Sequence, residues 1–360
     1  MSEILLNDKR VDYSSVLLPI ENNEQIRHLL SIDQISVDGF YRYLREAYAG
    51  THLQQVGIDL LRRKRLMPLM RQPSTRTSGS FAQAMIKLGG ASGHYGGSEA
   101  SSEAKEESRY DSEEALGVQV DIYAVRTEEE MGPAFAAKTF DDDLTRGDRD
   151  YFVPVINAGD GTNEHPTQTI GDFYTIHRHF GQLEGLKVAV VGDYEKYRAH
   201  HSTLKAIAKM GMKAYVLETK FNKIPEDIKL TLGGNLINVK NLDDALAEVD
   251  VLDMGRFPKE YKGNDKDAQK RYEKMAKYYH EKLMVDKKRL KIMSKDSIAM
   301  HPRPKGPEYA LDCYEDSRMK DVRQMYDMVP ARMGIIILHM GKSMVKALDD
   351  EGVIYNNPLI

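Results

Sequence analysis

Apolar positions in this chain form short runs that alternate with helix-spaced faces. Short runs typical of buried strands lie at 66–70, 118–125, 152–156, 187–191, 213–217, 249–254 and 297–300. Helical faces lie between them, for example at 37–49 and 167–180, and after residue 77, where Phe81, Met85 and Leu88 precede Gly89 and Gly90. This alternation of strand and helix predicts an α/β protein with parallel sheets.

Other stretches have different patterns. We expect a helix over 202–210, a charged helix over 265–279 and a helical pattern over 330–348. The first 28 residues are polar and weakly patterned, which predicts a short extension packed on the surface. The Gly-, Ser- and Glu-rich stretch 89–112 predicts a long mobile surface loop.

Length, charge and cysteine content narrow the class of protein. At 360 residues the chain is long enough for two α/β domains, and its net charge of −4 gives no general reason to expect a nucleic acid or membrane partner. The single cysteine, Cys313, excludes an intrachain disulfide and favours the reducing cytoplasm. No apolar run approaches about 18 residues, so we expect a soluble protein.

The segment Pro73-Ser74-Thr75-Arg76-Thr77 stands between a predicted strand and a predicted helix. A helix start leaves unpaired backbone N–H groups and favours negative charge, while hydroxyls and an arginine fork add donors for a phosphate. Ser-Thr segments in front of helices are more often simple N-caps, so this segment alone does not establish an anion site. A second polar cluster at 157–168, which includes His165-Pro166-Thr167-Gln168, favours the anion site.

These two segments, in this order, resemble the aspartate/ornithine carbamoyltransferase family, and its aspartate branch more than its ornithine branch. The similarity runs with gaps from about residue 29 to about residue 341, and it is almost continuous from 155 to 211, where Gly192, Asp193, Arg198, His201 and Ser202 follow. A G-x-G-x-x-G pattern is absent after the strand at 187–191, which argues against a dinucleotide site.

The resemblance implies two doubly wound parallel-sheet domains linked by helices, with the C-terminal helix returning to the first domain. The carbamoyl-phosphate domain would comprise 1–164 and about 330–360. The Rossmann-like amino-acid domain would comprise 165–329.

Carried over by motif, the family's catalytic residues are Arg76, Thr77, Arg126 and His165. The resemblance implies that carbamoyl phosphate binds to these and to six further residues: Ser74, Thr75, Ser101, Lys105, Gln168 and Pro302. In the family Ser101 and Lys105 reach into the active site of a neighbouring subunit, which implies a homotrimer with shared sites. A separate regulatory chain commonly carries nucleotide feedback in the family and is a candidate partner.

The acceptor would be held by Arg198 and Arg256, which match two arginines that bind the carboxylates of aspartate, together with Lys105 and Arg303. Four positions depart from the aspartate branch. Pro258 replaces a glutamine, Tyr261 replaces an arginine, Arg303 replaces a leucine between two prolines, and Ser78 replaces the arginine that usually follows Ser-Thr-Arg-Thr. These differences indicate either local compensation, with Arg303 supplying a donor lost at Pro258, or a different acceptor.

The expected reaction is transfer of the carbamoyl group from carbamoyl phosphate to L-aspartate, the committed step toward pyrimidines. It needs no metal and no cofactor, since positioning a labile mixed anhydride beside an amine supplies much of the acceleration. Two alternatives stay open. One is a carbamoyltransferase for another carboxylate-bearing amine, and the other is a relative that binds carbamoyl phosphate without turnover.

Overall fold

The computed structural model describes residues 3–6, 9–21, 26–93, 107–219, 222–257 and 266–359. The chain divides into two compact units. Unit 1 comprises Met1–Tyr174 and Asp327–Ile360, and unit 2 comprises Thr175–Tyr326. Each unit contains its own parallel sheet, which confirms the predicted fold class. The predicted assignment of each domain to one substrate stays a prediction.

Unit 1 holds a four-stranded parallel sheet in the order β4-β3-β5-β6. In chain order its elements are β1 (Glu3–Leu6), β2 (Lys9–Asp12), α1 (Val37–Leu53), β3 (Arg65–Met70), α2 (Thr75–Lys87), β4 (Ala91–Ser92), α3 (Arg109–Gly117), β5 (Ile122–Thr127), α4 (Gly132–Arg146), β6 (Val155–Asp160) and α5 (Pro166–Phe180). Helix α5 continues past the division between the units. A 3-10 turn at Ile32–Gln34 precedes α1.

Unit 2 holds a five-stranded parallel sheet in the order β11-β10-β7-β8-β9. Its elements are β7 (Lys187–Val191), α6 (Arg198–Lys209), β8 (Lys213–Val216), α7 (Glu226–Leu232), β9 (Leu236–Asn238), α8 (Leu242–Leu246), β10 (Val251–Met254), α9 (Lys266–Tyr278), a π-helical turn (Tyr279–Leu283), α10 (Lys287–Leu290) and β11 (Ile298–Met300). Two helices complete the chain, α11 (Asp321–His339) and α12 (Met344–Asp350).

Part of the N-terminal segment, from Tyr13 to Ile20, contributes buried residues to unit 1, which corrects the prediction of a surface extension. Strands β1 and β2 form an antiparallel hairpin. Beyond it, Tyr13 and Val16 are buried with Met67, Leu69 and other apolar residues of the sheet. The prediction failed because these few apolar anchors are spaced too irregularly to give a periodic signal.

Several predicted boundaries also move. Residues 118–121 leave α3 and precede β5, and Val118 is exposed, so the predicted strand began too early. Strand β6 begins at Val155 and continues through the polar residues to Asp160, beyond the predicted end at 156. Helix α6 begins at Arg198, four residues before the predicted start. Helices α3, α4, α7, α8 and α10 and strands β1, β2, β4 and β9 were not predicted. Strand β4 and the start of α3 lie inside the range 89–112, which was predicted to be a loop.

The helical pattern predicted over 330–348 belongs to two helices, and Pro330 lies inside α11 rather than at its start. In unit 1, a Cβ on Gly50 would stand 3.0 Å from the carbonyl oxygen of Pro330, and one on Gly334 would stand 3.2 Å from the carbonyl oxygen of Tyr43. The C-terminal part of α11 therefore packs closely against α1. This contact confirms the predicted return of the C-terminal helix to the first domain.

Among the residues that the structure describes, we find no helix with both the length and the apolar character needed to cross a bilayer.

Glu46 of α1 fixes the last helix. Its carboxylate accepts hydrogen bonds from the Ser343 hydroxyl, from Met344 N at 2.8 Å and from Val345 N at 3.3 Å, and these groups form the start of α12. Burial raises the pKa of Glu46, although the hydrogen bonds from Ser343, Met344 and Val345 oppose that shift. A buried acceptor at a helix start satisfies N–H groups that the helix itself leaves unpaired.

The Glu46→Ala variant should lose about 1–3 kcal/mol of unfolding free energy, because buried donors lose their acceptor. The Glu46→Gln variant should lose about 1 kcal/mol or less, since its amide keeps an acceptor and only the charge at the helix start is lost. Urea denaturation measures both. Asp142→Ala is the control, because this half-exposed carboxylate pairs only with Lys138 in the described structure and should contribute under about 0.5 kcal/mol. An alanine variant as stable as the wild type contradicts this role.

Candidate active site

The predicted phosphate segment lies between β3 and α2. Ser74 is the N-cap residue of α2, but its hydroxyl donates to the Thr77 hydroxyl at 2.9 Å and makes no capping hydrogen bond to the helix. Thr77 is buried, whereas Thr75 and Arg76 are exposed, and the first turn contains no acidic residue. A helix start with this composition is suited to an anion.

Arg126 lies beside this segment. It pairs with Met70 in the register of β5 on β3, and its Nε donates to Oε1 of Gln72 at 3.1 Å. The register of β5 on β6 shifts next to Arg126, because two steps along β5 match three along β6, and Gly159 on β6 has a φ of +113°. Bulges of this kind turn side chains to new directions and are frequent beside active sites.

His165 and Gln168 follow the next strand. His165 is buried, and its Nδ1 lies 3.4 Å from the Thr167 hydroxyl. The backbone N–H of Gln168 donates to the carbonyl of His165 at 3.0 Å, and the side-chain Nε2 of Gln168 donates to Oδ1 of Asp172 at 2.9 Å. Because β3, β5 and β6 are adjacent and parallel, the segments that carry Ser74 to Thr77, Arg126 and His165 to Gln168 leave the same edge of the sheet.

Asp160, which the sequence did not single out, organises the turn before His165. Its carboxylate accepts from the side-chain amides of Asn157 and Asn163 at 2.8 and 2.9 Å, and from the backbone N–H groups of Met131 and Glu164 at 2.8 and 3.1 Å. Burial raises the pKa of Asp160 to about 6, although these hydrogen bonds oppose the shift. At neutral pH Asp160 is therefore ionised, and its hydrogen bonds hold the turn before His165 in place.

Glu164 ties the same turn to the N-terminal part of unit 1. It accepts from the Ser31 hydroxyl at 2.5 Å and from the backbone N–H of Ile32 at 3.0 Å. The polar residues at 157–164 could have indicated this network from the sequence, because polar side chains at the end of a buried strand need hydrogen-bond partners. Only the residues that follow them, His165 and Gln168, had predicted roles at this turn.

The predicted acceptor residues Arg198 and Arg256 lie in unit 2. Arg198 is buried in the first turn of α6, which follows β7, and half-buried Arg256 lies two residues beyond β10. Strands β7 and β10 are neighbours, and the strand order reverses between them. Ligands of open α/β sheets bind outside the carboxyl ends of the strands at such a switch point.

His200 also lies at this switch point and was not predicted. A Cβ on Gly192, which follows β7, would stand 2.5 Å from the imidazole Cε1, and one on Gly255, which follows β10, would stand 2.4 Å from it. Both positions therefore need glycine so that the ring can fit between the strand ends. Burial lowers the pKa of His200 to about 3, so the ring is neutral at physiological pH.

Arg303 has a partner of its own in unit 2. Its Nη2 lies 2.5 Å from Oδ2 of Asp321, and Nζ of Lys305 lies 3.0 Å from the same oxygen. Arg303 has a φ of +58°, and the peptide bond to Pro304 is cis. Its predicted contact with the acceptor, and that of Pro302 with carbamoyl phosphate, stay predictions. Ser101, Lys105, Pro258 and Tyr261 lie outside the described residues.

Two family models match the chain. The carbamoyl-P binding domain of aspartate/ornithine carbamoyltransferase matches residues 27–178, and the Asp/Orn binding domain matches residues 184–339. The aspartate carbamoyltransferase catalytic subunit of Archaeoglobus fulgidus is 31% identical over 313 residues, which cover 86% of this chain and 98% of that protein.

Solved structures with the same fold include aspartate transcarbamoylase from Trypanosoma cruzi. Its complex with carbamoyl phosphate matches with a TM-score of 0.78 at 26% identity, over 90% of this chain and 98% of that chain. Its complex with aspartate and phosphate matches with a TM-score of 0.79 at 26% identity, over 90% and 99%. The chain belongs to the aspartate/ornithine carbamoyltransferase family.

Proposed function

We propose that this protein transfers the carbamoyl group of carbamoyl phosphate to the amino group of L-aspartate, giving N-carbamoyl-L-aspartate and phosphate in pyrimidine biosynthesis. The observation that carries the proposal is the sheet edge of unit 1. Three adjacent strands lead there into the segments with Ser74 to Thr77, Arg126 and His165 to Gln168, in a chain whose relatives carry the name aspartate carbamoyltransferase.

Unit 1 supplies donors for both ends of carbamoyl phosphate. The start of α2, with Ser74, Thr75, Arg76 and Thr77, binds the phosphate, because N–H groups, hydroxyls and a guanidinium fork can all pair with its oxygens. Ser101 and Lys105 of a neighbouring subunit and Pro302 complete this substrate's contacts.

The carbonyl end of carbamoyl phosphate gains negative charge as the amine attacks. Thr77, Arg126 and His165 donate hydrogen bonds to this developing oxyanion, and preorganised donors of this kind lower a barrier by several kcal/mol, on the order of 3 for one donor. The amine nitrogen bonds to the carbonyl carbon, the bond to the phosphate oxygen breaks, and the leaving phosphate takes the amine proton. Gln168 orients the carbamoyl amino group.

Unit 2 supplies the acceptor site. Arg198 and Arg256 follow neighbouring strands and bind the two carboxylates of aspartate, a planar pairing for which guanidinium is suited. Lys105 and Arg303 are further acceptor contacts. The departures at Pro258 and Tyr261, together with the pairing of Arg303 to Asp321, support one alternative, a carbamoyltransferase that uses another carboxylate-bearing amine.

The proposed assembly is a homotrimer in the cytoplasm. Sharing of Ser101 and Lys105 between subunits makes each active site depend on two chains. The single, buried Cys313 supports a reducing compartment. The name "catalytic subunit" of the relatives supports a test for a regulatory chain as a further partner.

Purified protein should release phosphate from carbamoyl phosphate when L-aspartate is added, with saturation in both substrates. Phosphate release is measured with L-aspartate, with a panel of other amino acids and with no acceptor as the blank. Saturable release with a different amine contradicts the aspartate assignment and supports the alternative acceptor. Tight carbamoyl phosphate binding without release on any amine contradicts an enzymatic function.

Two arginine substitutions should distinguish the binding site of carbamoyl phosphate from that of aspartate. Arg76→Ala should weaken carbamoyl phosphate binding by about tenfold or more, since charged hydrogen bonds contribute about 1.5–3 kcal/mol each. Arg256→Ala should chiefly raise the KM for aspartate, because it contacts only the acceptor. Steady-state kinetics with each substrate varied in turn measures both. Exposed Arg62→Ala is the matched control and should behave as wild type. Unchanged kinetics in both variants contradicts the site assignment.

Mixing inactive chains tests the shared site. Lys105→Ala and Arg76→Ala chains should each have little activity alone. After dissociation and reassembly together they should regain part of the wild-type activity, because some sites then combine an intact Lys105 with an intact Arg76. Reassembly of each variant with itself is the control. Mixed trimers without recovered activity contradict a site shared between subunits.

A further inference from the structure

Asp172 determines how the side-chain amide of Gln168 is turned. Both residues lie on α5, one turn apart, and Nε2 of Gln168 donates to Oδ1 of Asp172 at 2.9 Å. A carboxylate oxygen accepts hydrogen bonds but cannot donate them, so the NH2 group of Gln168 faces Asp172. The other end of the amide, the acceptor oxygen Oε1, consequently points away from Asp172, and Gln168 itself is only half-buried.

Asp172 is buried, and a second buried charged residue lies on α11. Arg332 of α11 is 2% exposed, and burial lowers its pKa to about 10 while the charge of Asp172 opposes the shift. Arg332 thus keeps its charge at neutral pH.

Arg332 also reaches the helix that begins with the phosphate segment. Its guanidinium carbon lies 4.8 Å from the centre of the Phe81 ring on α2, within range of a cation–π contact. Close packing fixes α11 against α5, since a Cβ on Gly171 would stand 2.1 Å from the Met328 side chain and 3.7 Å from the Ala331 side chain. Helix α11 therefore contacts both helices whose first turns carry the proposed site, α2 through Arg332 and α5 through Met328 and Ala331.

We propose that Asp172 is a positioning residue that holds the Gln168 amide with its oxygen toward the carbamoyl NH2 group of carbamoyl phosphate. This inference rests on the proposed function and explains why the site in unit 1 prefers a ligand with a carbamoyl group. An unrestrained glutamine can turn its own NH2 group outward and would then oppose the substrate's NH2 group with a second donor. Inorganic phosphate has no NH2 group, so its binding does not depend on the orientation of Gln168.

Comparison of these two ligands tests the proposal. Calorimetric titration measures the Kd of carbamoyl phosphate and of inorganic phosphate for the full chain. Asp172→Ala should raise the Kd of carbamoyl phosphate by about fivefold to tenfold, the loss of one hydrogen bond. The Kd of inorganic phosphate should change by less than about twofold, since its donors lie on α2. General damage to unit 1 would instead weaken both ligands together.

A conservative variant keeps the test decisive if Asp172→Ala does not fold. Asp172→Asn can hold Gln168 in either orientation and should give a smaller, selective loss for carbamoyl phosphate. Asp142→Ala, which removes a carboxylate of α4, is the control for both ligands.

A double substitution identifies Gln168 as the target. In a Gln168→Ala background, Asp172→Asn should not change the ratio of the two Kd values further, because the two residues act as one unit. An undiminished effect of Asp172→Asn in that background overturns the proposal, and so does an equal weakening of both ligands. Wild-type protein that fails to bind carbamoyl phosphate overturns the proposed function instead, before any variant is compared.

Discussion

All strands of a parallel sheet end at the same edge, and the helix that follows each strand begins there with unpaired backbone N–H groups. This constraint produces the candidate site in unit 1. Residues 74–77, 126 and 165–168 are far apart in the chain, but residue 126 lies at the carboxyl end of β5 and the others follow β3 and β6, its two neighbours in the sheet. The sheet therefore gathers donors from three segments and requires no long-range contact specific to any one of them.

The same edge of the sheet contains buried polar side chains. They are stable there because each has hydrogen-bond partners. Asn157 and Asp160 lie in the last part of β6, where the side-chain amide of Asn157 donates a hydrogen bond to the carboxylate of Asp160. Asp160 also accepts hydrogen bonds from two backbone N–H groups. Glu164 repeats the arrangement with Ser31 and Ile32. A buried network of this kind is costly when one member is missing, so it holds the turn before His165 in one conformation.

Strong apolar periodicity made much of this fold predictable. Strand β7 has the predicted range, 187–191, and α5 differs from its predicted range by one residue. Prediction failed where a residue type was a poor guide to its place in the fold. Val118 looks like a strand residue but is the exposed C-cap of α3, and Pro330, which usually marks a helix start, is accommodated inside α11 where Gly50 lets α1 approach.

The site was predictable only as far as its motifs extend. Arg76, Arg126 and His165 were found because a family pattern carries them, whereas Asp160 and Asp172 act through other residues and leave no motif of their own. Their signal is physical, since a carboxylate in a buried strand or helix face requires donors or a cation. Asp172 was visible in the sequence one turn after Gln168, but the hydrogen bond between their side chains becomes apparent only in the structure.

The charges at the switch point of unit 2 bear on the acceptor. Arg198 and Arg256 place two permanent positive charges beyond the adjacent ends of β7 and β10. His200, between Gly192 and Gly255, adds none, because burial lowers its pKa to about 3. Burial raises the pKa of Asp253 in β10, which reduces its negative charge. Glu308 accepts from the N–H of Phe257, next to Arg256, and despite burial its hydrogen bonds lower its pKa. Glu308 therefore offsets only part of the charge of the arginines. Since opposite charges attract most strongly where water is excluded, this balance favours an acceptor with carboxylates and disfavours a cationic amine such as ornithine.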